Sequence, residues 1–108
     1  MRRCGNLRGY AARTLRRMTN PGGSGAARWL PLAKHVGWPA STWSYLIYVI
    51  DRESGGRPNA LNASTNCQGL LQCMKRYAPP GADLFDATTN LTVGLRWWRQ
   101  GGWTPWAL

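Results

Sequence analysis

The chain has 108 residues, 44% of them hydrophobic, which is enough for one hydrophobic core and too few for two independent domains. Fourteen Lys and Arg residues against four acidic residues give a net charge of +10, which indicates a polyanionic partner such as a nucleic acid, an anionic membrane or a bacterial wall. No apolar run approaches the roughly 18 to 20 residues needed to span a bilayer, so we expect a soluble protein.

Residues 1–28 are predicted to be a basic tail and linker, followed by a domain over residues 29–108. The tail carries seven arginines and no acidic residue, and it ends in a stretch rich in glycine and proline. Apolar residues at positions 7, 11, 15 and 18 have helical spacing, so a basic surface helix is the alternative to a solvated charge run. Because no apolar stretch follows the arginines, we expect no secretory signal peptide.

The clearest predicted helix begins at Ser41 or Thr42, either of which can cap its amino terminus. Apolar residues at positions 43, 46, 47 and 50 form one stripe of this helix. The helix should end at the glycines 55 and 56, because glycine readily adopts the left-handed conformation that closes a helix.

Glu53, the only glutamate in the chain, lies in the last turn of this helix, three residues beyond Ile50 and on the same apolar face. Burial and the partial negative charge at a helix carboxyl end should both raise its pKa. A carboxylic acid that is protonated near neutral pH is what cleavage of a glycosidic bond needs as a proton donor. The alternative is a glutamate that faces solvent or pairs with Arg52 or Arg57.

A second helix is predicted from Asp86, a suitable cap, to the glycines 101 and 102, with Arg96 and Arg99 on its polar face. Residues 57–85 between the two helices are rich in Asn, Pro, Gly and Ser. They suggest loops, with a short strand or helical turn around residues 70–77. The predicted fold class is therefore mainly α.

The cysteines and the histidine indicate no metal site. Cys4, Cys67 and Cys73 lack zinc-ligand spacing, and His35 alone does not complete a site with them. We expect no metal and no cofactor. For Cys67 and Cys73 two alternatives remain open, a disulfide or a pair of buried free thiols.

Four motifs follow one another between residues 38 and 106. Residues 53–60 read Glu-Ser-Gly-Gly-Arg-Pro-Asn-Ala, and residues 69–72 read Gly-Leu-Leu-Gln. Leu84-Phe85-Asp86 is then followed by Asn90 and Gly94, and residues 101–106 read Gly-Gly-Trp-Thr-Pro-Trp. In this order they resemble the SLT transglycosylase or lysozyme-like family of peptidoglycan-cleaving enzymes, in particular its small phage and actinobacterial members. The chain departs from the family at Ala87, where a proline is common, and in lacking the tyrosine that hydrogen-bonds the catalytic glutamate.

The resemblance implies a lysozyme-like domain with a loop-rich substrate cleft. It implies that Glu53 is the catalytic acid/base that cleaves the β-1,4 bond between N-acetylmuramic acid and N-acetylglucosamine in peptidoglycan. The residues expected to contact the glycan are Ser54, Gln72, Tyr77, Asn90, Trp103 and Trp106. For Ser54 and Asn90 the alternative is a bond to the backbone, and for the two tryptophans it is the core. Trp29, Trp38, Trp43 and Trp98 are assigned to packing.

The expected reaction is that of a lytic transglycosylase, in which Glu53 works alone. A muramidase that uses Asp83 as its second carboxylate is the first alternative. A cationic protein that binds a wall, a membrane or nucleic acid without catalysis is another. Nucleic acid is disfavoured because the basic residues form no known binding motif, whereas the arginine-rich tail suits anionic wall polymers or a membrane surface. We expect a monomer that acts at the bacterial wall as a phage lysin or virion-associated enzyme.

Overall fold

A computed structural model describes residues 25–108. The helical spacing predicted in the tail and Cys4 lie outside these residues. The described part contains three α-helices and one small sheet: α1 (Leu30–Val36), α2 (Trp43–Ser54), β1 (Leu61–Asn62), β2 (Cys67–Gln68), β3 (Cys73–Met74) and α3 (Ala87–Gly101). Short 3-10 turns cover Ala27–Trp29, Ala40–Thr42, Lys75–Tyr77 and Thr104–Trp106. The mainly α class is thus confirmed for this part of the chain.

Helix α2 has the predicted bounds. Gly55 closes it in the left-handed conformation, with φ of 66°, and its N–H donates to the carbonyls of Ile50 and Asp51. The start differs in one detail, because the Thr42 hydroxyl donates to the Pro39 carbonyl and makes no cap bond to the helix. A 3-10 turn therefore leads into α2 in place of the predicted side-chain cap.

Helix α3 also follows the prediction. The Asp86 side chain accepts hydrogen bonds from the Thr89 N–H at 3.0 Å and the Thr89 hydroxyl at 2.8 Å. These bonds lower the pKa of Asp86, because they stabilise its charged form. The helix ends at Gly102, and Arg96 and Arg99 are exposed.

Helix α1 was not predicted. It begins with Pro31 in its first turn, ends at Gly37 with φ of 118°, and packs against α3. The chain is packed even before it, since Ala26 is buried and the Trp29 indole donates to the Gly56 carbonyl at 2.7 Å. Buried packing therefore includes Ala26, which lies before the predicted boundary at residue 29.

The three strands form an antiparallel sheet in the order β1-β2-β3. Cys67 pairs with Met74 and Cys73 pairs with Gln68, so the two cysteine side chains point to opposite faces of the sheet. Both thiols are buried, and they form no disulfide with each other. Of the two alternatives for these cysteines, the structure has two buried thiols and no disulfide.

The core lies between α2, α3 and the hairpin formed by β2 and β3, and it includes Trp38, whose indole donates to the Leu91 carbonyl at 3.0 Å. The other tryptophans assigned to packing, at positions 29, 43 and 98, are half-buried against it, as predicted. Within residues 25–108, no helix has the length and apolar character needed to cross a membrane.

Candidate active site

Glu53 lies at the carboxyl end of α2 with its side chain turned into the core, where it is 0% exposed. Burial raises its pKa from 4.5 to about 7, and the charge and hydrogen bonds of Arg52 lower it by a smaller amount. The expected burial of this carboxyl is confirmed, and burial shifts its pKa in the expected direction. Near neutral pH this carboxyl exists in both protonation states.

Arg52 fixes one oxygen of this carboxyl. Its Nε and Nη2 atoms each lie 3.0 Å from Oε2 of Glu53, and Nη2 also donates to the backbone carbonyl of Trp106. Oε1 of Glu53 is buried and has no hydrogen-bond partner among the described residues. The carboxyl thus has one held oxygen and one unpaired oxygen.

Ser54 and Gly56 determine the shape of the loop that follows α2. The Ser54 hydroxyl donates to the Ile50 carbonyl at 3.0 Å and accepts from the Gly56 N–H at 3.2 Å. Gly56 has φ of 79°, and a Cβ there would lie 2.4 Å from the Gly25 carbonyl carbon. Ser54 therefore bonds its own backbone, and Gly56 allows another segment to approach closely.

Asn90 on α3 holds the turn at residues 69–72 against the helix. Its Oδ1 accepts from the Leu71 N–H at 2.9 Å, and its amide nitrogen donates to the carbonyls of Gln68 and Leu84 at 2.8 and 2.9 Å. A Cβ on Gly69 would lie 2.3 Å from that nitrogen. With both amide hydrogens bonded inside the protein, Asn90 serves the structural alternative, and the expected glycan contact does not fit this arrangement.

Gln72 is buried, although the resemblance implied that it lines a cleft. Its Nε2 atom donates to the carbonyls of Ala60 and Gly69 at 3.0 and 3.2 Å. Its Oε1 atom is buried without a hydrogen-bond partner in the described part of the chain. Gln72 therefore stabilises the turn and leaves one acceptor unused.

The two candidate tryptophans occupy different places. Trp106 is 1% exposed and its indole donates to the Leu71 carbonyl at 2.8 Å, so it belongs to the core and offers no ring face to a glycan. Trp103 is half-buried, stacked on Trp38 at 5.8 Å between ring centroids and edge-on to Tyr45 at 5.1 Å. Tyr77 is 41% exposed, with the Arg76 guanidinium over its ring. Trp103 and Tyr77 are thus the predicted contacts that retain exposed surface.

Neither Asp83 nor Asp86 bonds to Glu53. Asp83 is exposed and its Oδ1 accepts from the Phe85 N–H at 3.0 Å, while Asp86 caps α3. Burial, with the neighbouring Cys67 and Glu53, raises the pKa of the Cys73 thiol, so the thiol is protonated near neutral pH. In residues 25–108 no group of three or more His, Cys, Asp or Glu side chains lies together as a metal site would require.

The contact between Arg52 and the Trp106 carbonyl is the feature that the sequence did not predict. From the sequence, Arg52 was considered only as a salt-bridge partner of Glu53. Its hydrogen bond to a carbonyl 54 residues away leaves no pattern in the neighbouring sequence. Its one sequence cue is its position beside the single glutamate. Comparison of the chain with protein-family models, with curated proteins and with solved structures gave no match.

Proposed function

We propose that residues 25–108 form a lysozyme-like domain of a lytic transglycosylase. It cleaves the β-1,4 bond between N-acetylmuramic acid and N-acetylglucosamine in peptidoglycan, with Glu53 as its single acid/base. The observation that carries this proposal is the Glu53 carboxyl itself, which is buried at a helix end with its pKa raised to about 7. The substrate class is inferred from the resemblance of the four motifs to peptidoglycan-cleaving enzymes.

The raised pKa of Glu53 suits both steps of this reaction. The protonated carboxyl donates its proton to the glycosidic oxygen as the bond to the anomeric carbon breaks. The resulting carboxylate then accepts the proton of the muramic-acid 6-hydroxyl as that oxygen attacks the anomeric carbon. The product carries a 1,6-anhydro ring, and Glu53 regains its proton. A pKa near the working pH serves an acid that becomes a base within one cycle.

The hydrogen bonds of Asp83 and Asp86, neither of which bonds to Glu53, favour this mechanism over that of a muramidase. A hydrolase needs a second carboxylate across the scissile bond to activate water or to act as nucleophile. Asp83 is engaged with its own loop and Asp86 with the start of α3. The transglycosylase reaction needs neither, because its nucleophile is a hydroxyl of the substrate.

The reaction requires that the carboxyl be uncovered, because Glu53 has no solvent contact in the described conformation. Its unpaired Oε1 is the oxygen available for proton exchange once a substrate oxygen reaches it. Substrate binding must therefore displace part of the packing over the end of α2.

Purified peptidoglycan incubated with the full chain tests the proposal, with mass spectrometry of the released fragments. We expect 1,6-anhydromuramoyl ends from the wild type and at least roughly a 100-fold loss in Glu53→Gln, which keeps the shape but cannot transfer the proton. Asp83→Asn is the matched control and should be fully active. Glu53→Gln activity within about tenfold of wild type contradicts the assignment. Reducing-end muramic acid that is lost in Asp83→Asn identifies a muramidase instead.

One observation favours a second candidate function, a cationic wall-binding protein without catalysis. Glu53, Ser54 and Gln72 are all fully buried, while the chain carries a net charge of +10. Such a protein would bind walls in a salt-dependent manner through its basic residues. It would release no muropeptides, and Glu53→Gln would bind as the wild type does.

A further inference from the structure

The contact between Arg52 and Glu53 does not follow from helix geometry. Adjacent residues on an α-helix point about 100° apart and do not normally meet. Here the Arg52 guanidinium turns toward its neighbour, so that both Nε and Nη2 lie 3.0 Å from Oε2. A third group holds it there, because Nη2 also donates to the Trp106 carbonyl.

The Trp106 residue that accepts this hydrogen bond from Arg52 is itself held in place. The Trp106 ring is buried, and its indole nitrogen donates to the Leu71 carbonyl at 2.8 Å. The Leu71 N–H in turn donates to Asn90 on α3. The position of the guanidinium, and through it that of Oε2, is thus set by the Thr104–Trp106 turn and by α3.

We propose that Arg52 is a positioning residue. It holds Oε2 of Glu53 against the Thr104–Trp106 turn, so that Oε1 is the oxygen that exchanges the proton with the substrate. This inference rests on the proposed function of Glu53. The buried Oε1, which lacks a partner among residues 25–108, supports it independently. A buried acceptor without a hydrogen bond destabilises the fold, and a catalytic role explains why such a group is retained.

The charge of Arg52 also affects the pKa of Glu53, which can be measured without following turnover. The titratable groups that act electrostatically at Glu53 are Arg52 on α2 and the Cys73 thiol on β3. Since that thiol is neutral near pH 7, Arg52 is the charge that opposes the effect of burial on the Glu53 pKa. Removing it should raise this pKa further.

Because Glu53 is the only glutamate, the full chain labelled with carboxyl-¹³C glutamate gives one carboxyl signal whose pH titration reports this pKa. We expect a midpoint near 7 in the wild type and an upward shift of roughly 1 to 3 pH units in Arg52→Met. Arg52→Lys keeps a positive charge but not the planar fork, so it should titrate near the wild type. Arg96→Met, at an exposed site on α3, is the matched control and should not change the titration.

Turnover of peptidoglycan separates positioning from charge. We expect kcat to fall by roughly 10- to 100-fold in both Arg52 variants at the optimum pH of each, with little change in KM, because neither holds Oε2 at two points. The descending limb of the pH profile should move upward only in Arg52→Met. A kcat within about threefold of wild type in Arg52→Lys overturns the positioning role.

Misfolding, a missing contact between Arg52 and Glu53, and a wrong assignment of Glu53 each give a different result. If Arg52→Met loses its near-ultraviolet circular dichroism, it has not folded, and Arg52→Lys alone decides by its kcat and its titration. An unshifted titration in folded Arg52→Met overturns the contact on which the proposal depends. Full cleavage by Glu53→Gln overturns the proposed function and the positioning role together. Loss of cleavage in Glu53→Gln with normal kcat in both Arg52 variants overturns the positioning role alone.

Discussion

Replacing Glu53 by glutamine should change how the stability of the protein depends on pH. In the folded state burial raises the Glu53 pKa to about 7, whereas in the unfolded chain the carboxyl titrates near its ordinary value of 4.5. Between these two values the folded protein holds a proton that the unfolded chain has released. The wild type therefore has its full stability below pH 4.5 and loses part of it as the pH rises to 7. A glutamine side chain does not titrate, so the variant lacks this loss.

The size of the effect follows from the distance between the two pKa values. Each pH unit between them is worth about 1.4 kcal/mol, so the wild type should lose on the order of 3 kcal/mol between about pH 4 and pH 8. This is a large share of the 5 to 15 kcal/mol that is typical of a domain. Arg52 faces a neutral group in the variant at every pH, and that cost is constant, so it does not affect the difference between pH values.

Urea unfolding followed by tryptophan fluorescence near pH 4, 6 and 8 measures the free energies of unfolding. The advantage of Glu53→Gln over the wild type should grow by about 3 kcal/mol across this range. Groups that titrate in both proteins, such as Asp86 with its lowered pKa, cancel in the comparison. Parallel stability curves would show that Glu53 has an ordinary pKa in solution and would remove the physical basis for its role as an acid. Asp83→Asn, at an exposed loop position, should give a curve close to the wild type.

Three further predictions concern the parts around this carboxyl. Gly69→Ala should lower the free energy of unfolding by roughly 2 kcal/mol or more in a urea titration, because φ is 80° and the new Cβ would meet the Leu84 carbonyl oxygen at 2.2 Å; an unchanged midpoint would contradict this close approach. Asn90→Ala should cost at least about 2 kcal/mol in the same assay, since it removes hydrogen bonds to three backbone groups, two of them buried, whereas Asn59→Ala at an exposed site should be neutral. Removing residues 1–24, which carry six of the 14 basic residues, should weaken salt-sensitive sedimentation with purified walls while the circular dichroism of the domain is retained; binding as tight as that of the full chain would show that the charge of residues 25–108 suffices.

The sequence predicted the elements whose signals are local. Helix α2 has an apolar stripe and a closing glycine, and α3 has Asp86 as a capping residue, so both were found with their bounds. Helix α1 has only seven residues, which is too short to show a period, and the strands have two residues each. The short strand or helical turn expected around residues 70–77 is present as β3 and the turn Lys75–Tyr77. The first two strands were not predicted, because a two-residue strand has no alternation to recognise.

In the candidate site, too, local features could be predicted and long-range contacts could not. The burial of Glu53 and its raised pKa were predictable because its face of the helix follows from its spacing to Ile50. The burial of Trp106 was not, because it depends on the carbonyl of Leu71, 35 residues earlier in the chain. Tryptophan suits both a core and a sugar-binding surface, so composition alone favours neither place.

In the proposed mechanism, three motif residues around Glu53 act through packing and not through contact with a substrate. Gly56 and Gly69 permit approaches that any side chain would block, and Asn90 holds the turn at residues 69–72 in place. Because burial is the main cause of the raised Glu53 pKa, these residues influence proton transfer through the packing that they allow. Loosening that packing admits water, lowers the pKa toward 4.5 and leaves less of the protonated acid near neutral pH. The same packing hides the carboxyl. The proposed cleavage therefore requires a motion that exposes Oε1 to the glycosidic oxygen while Arg52 still holds Oε2.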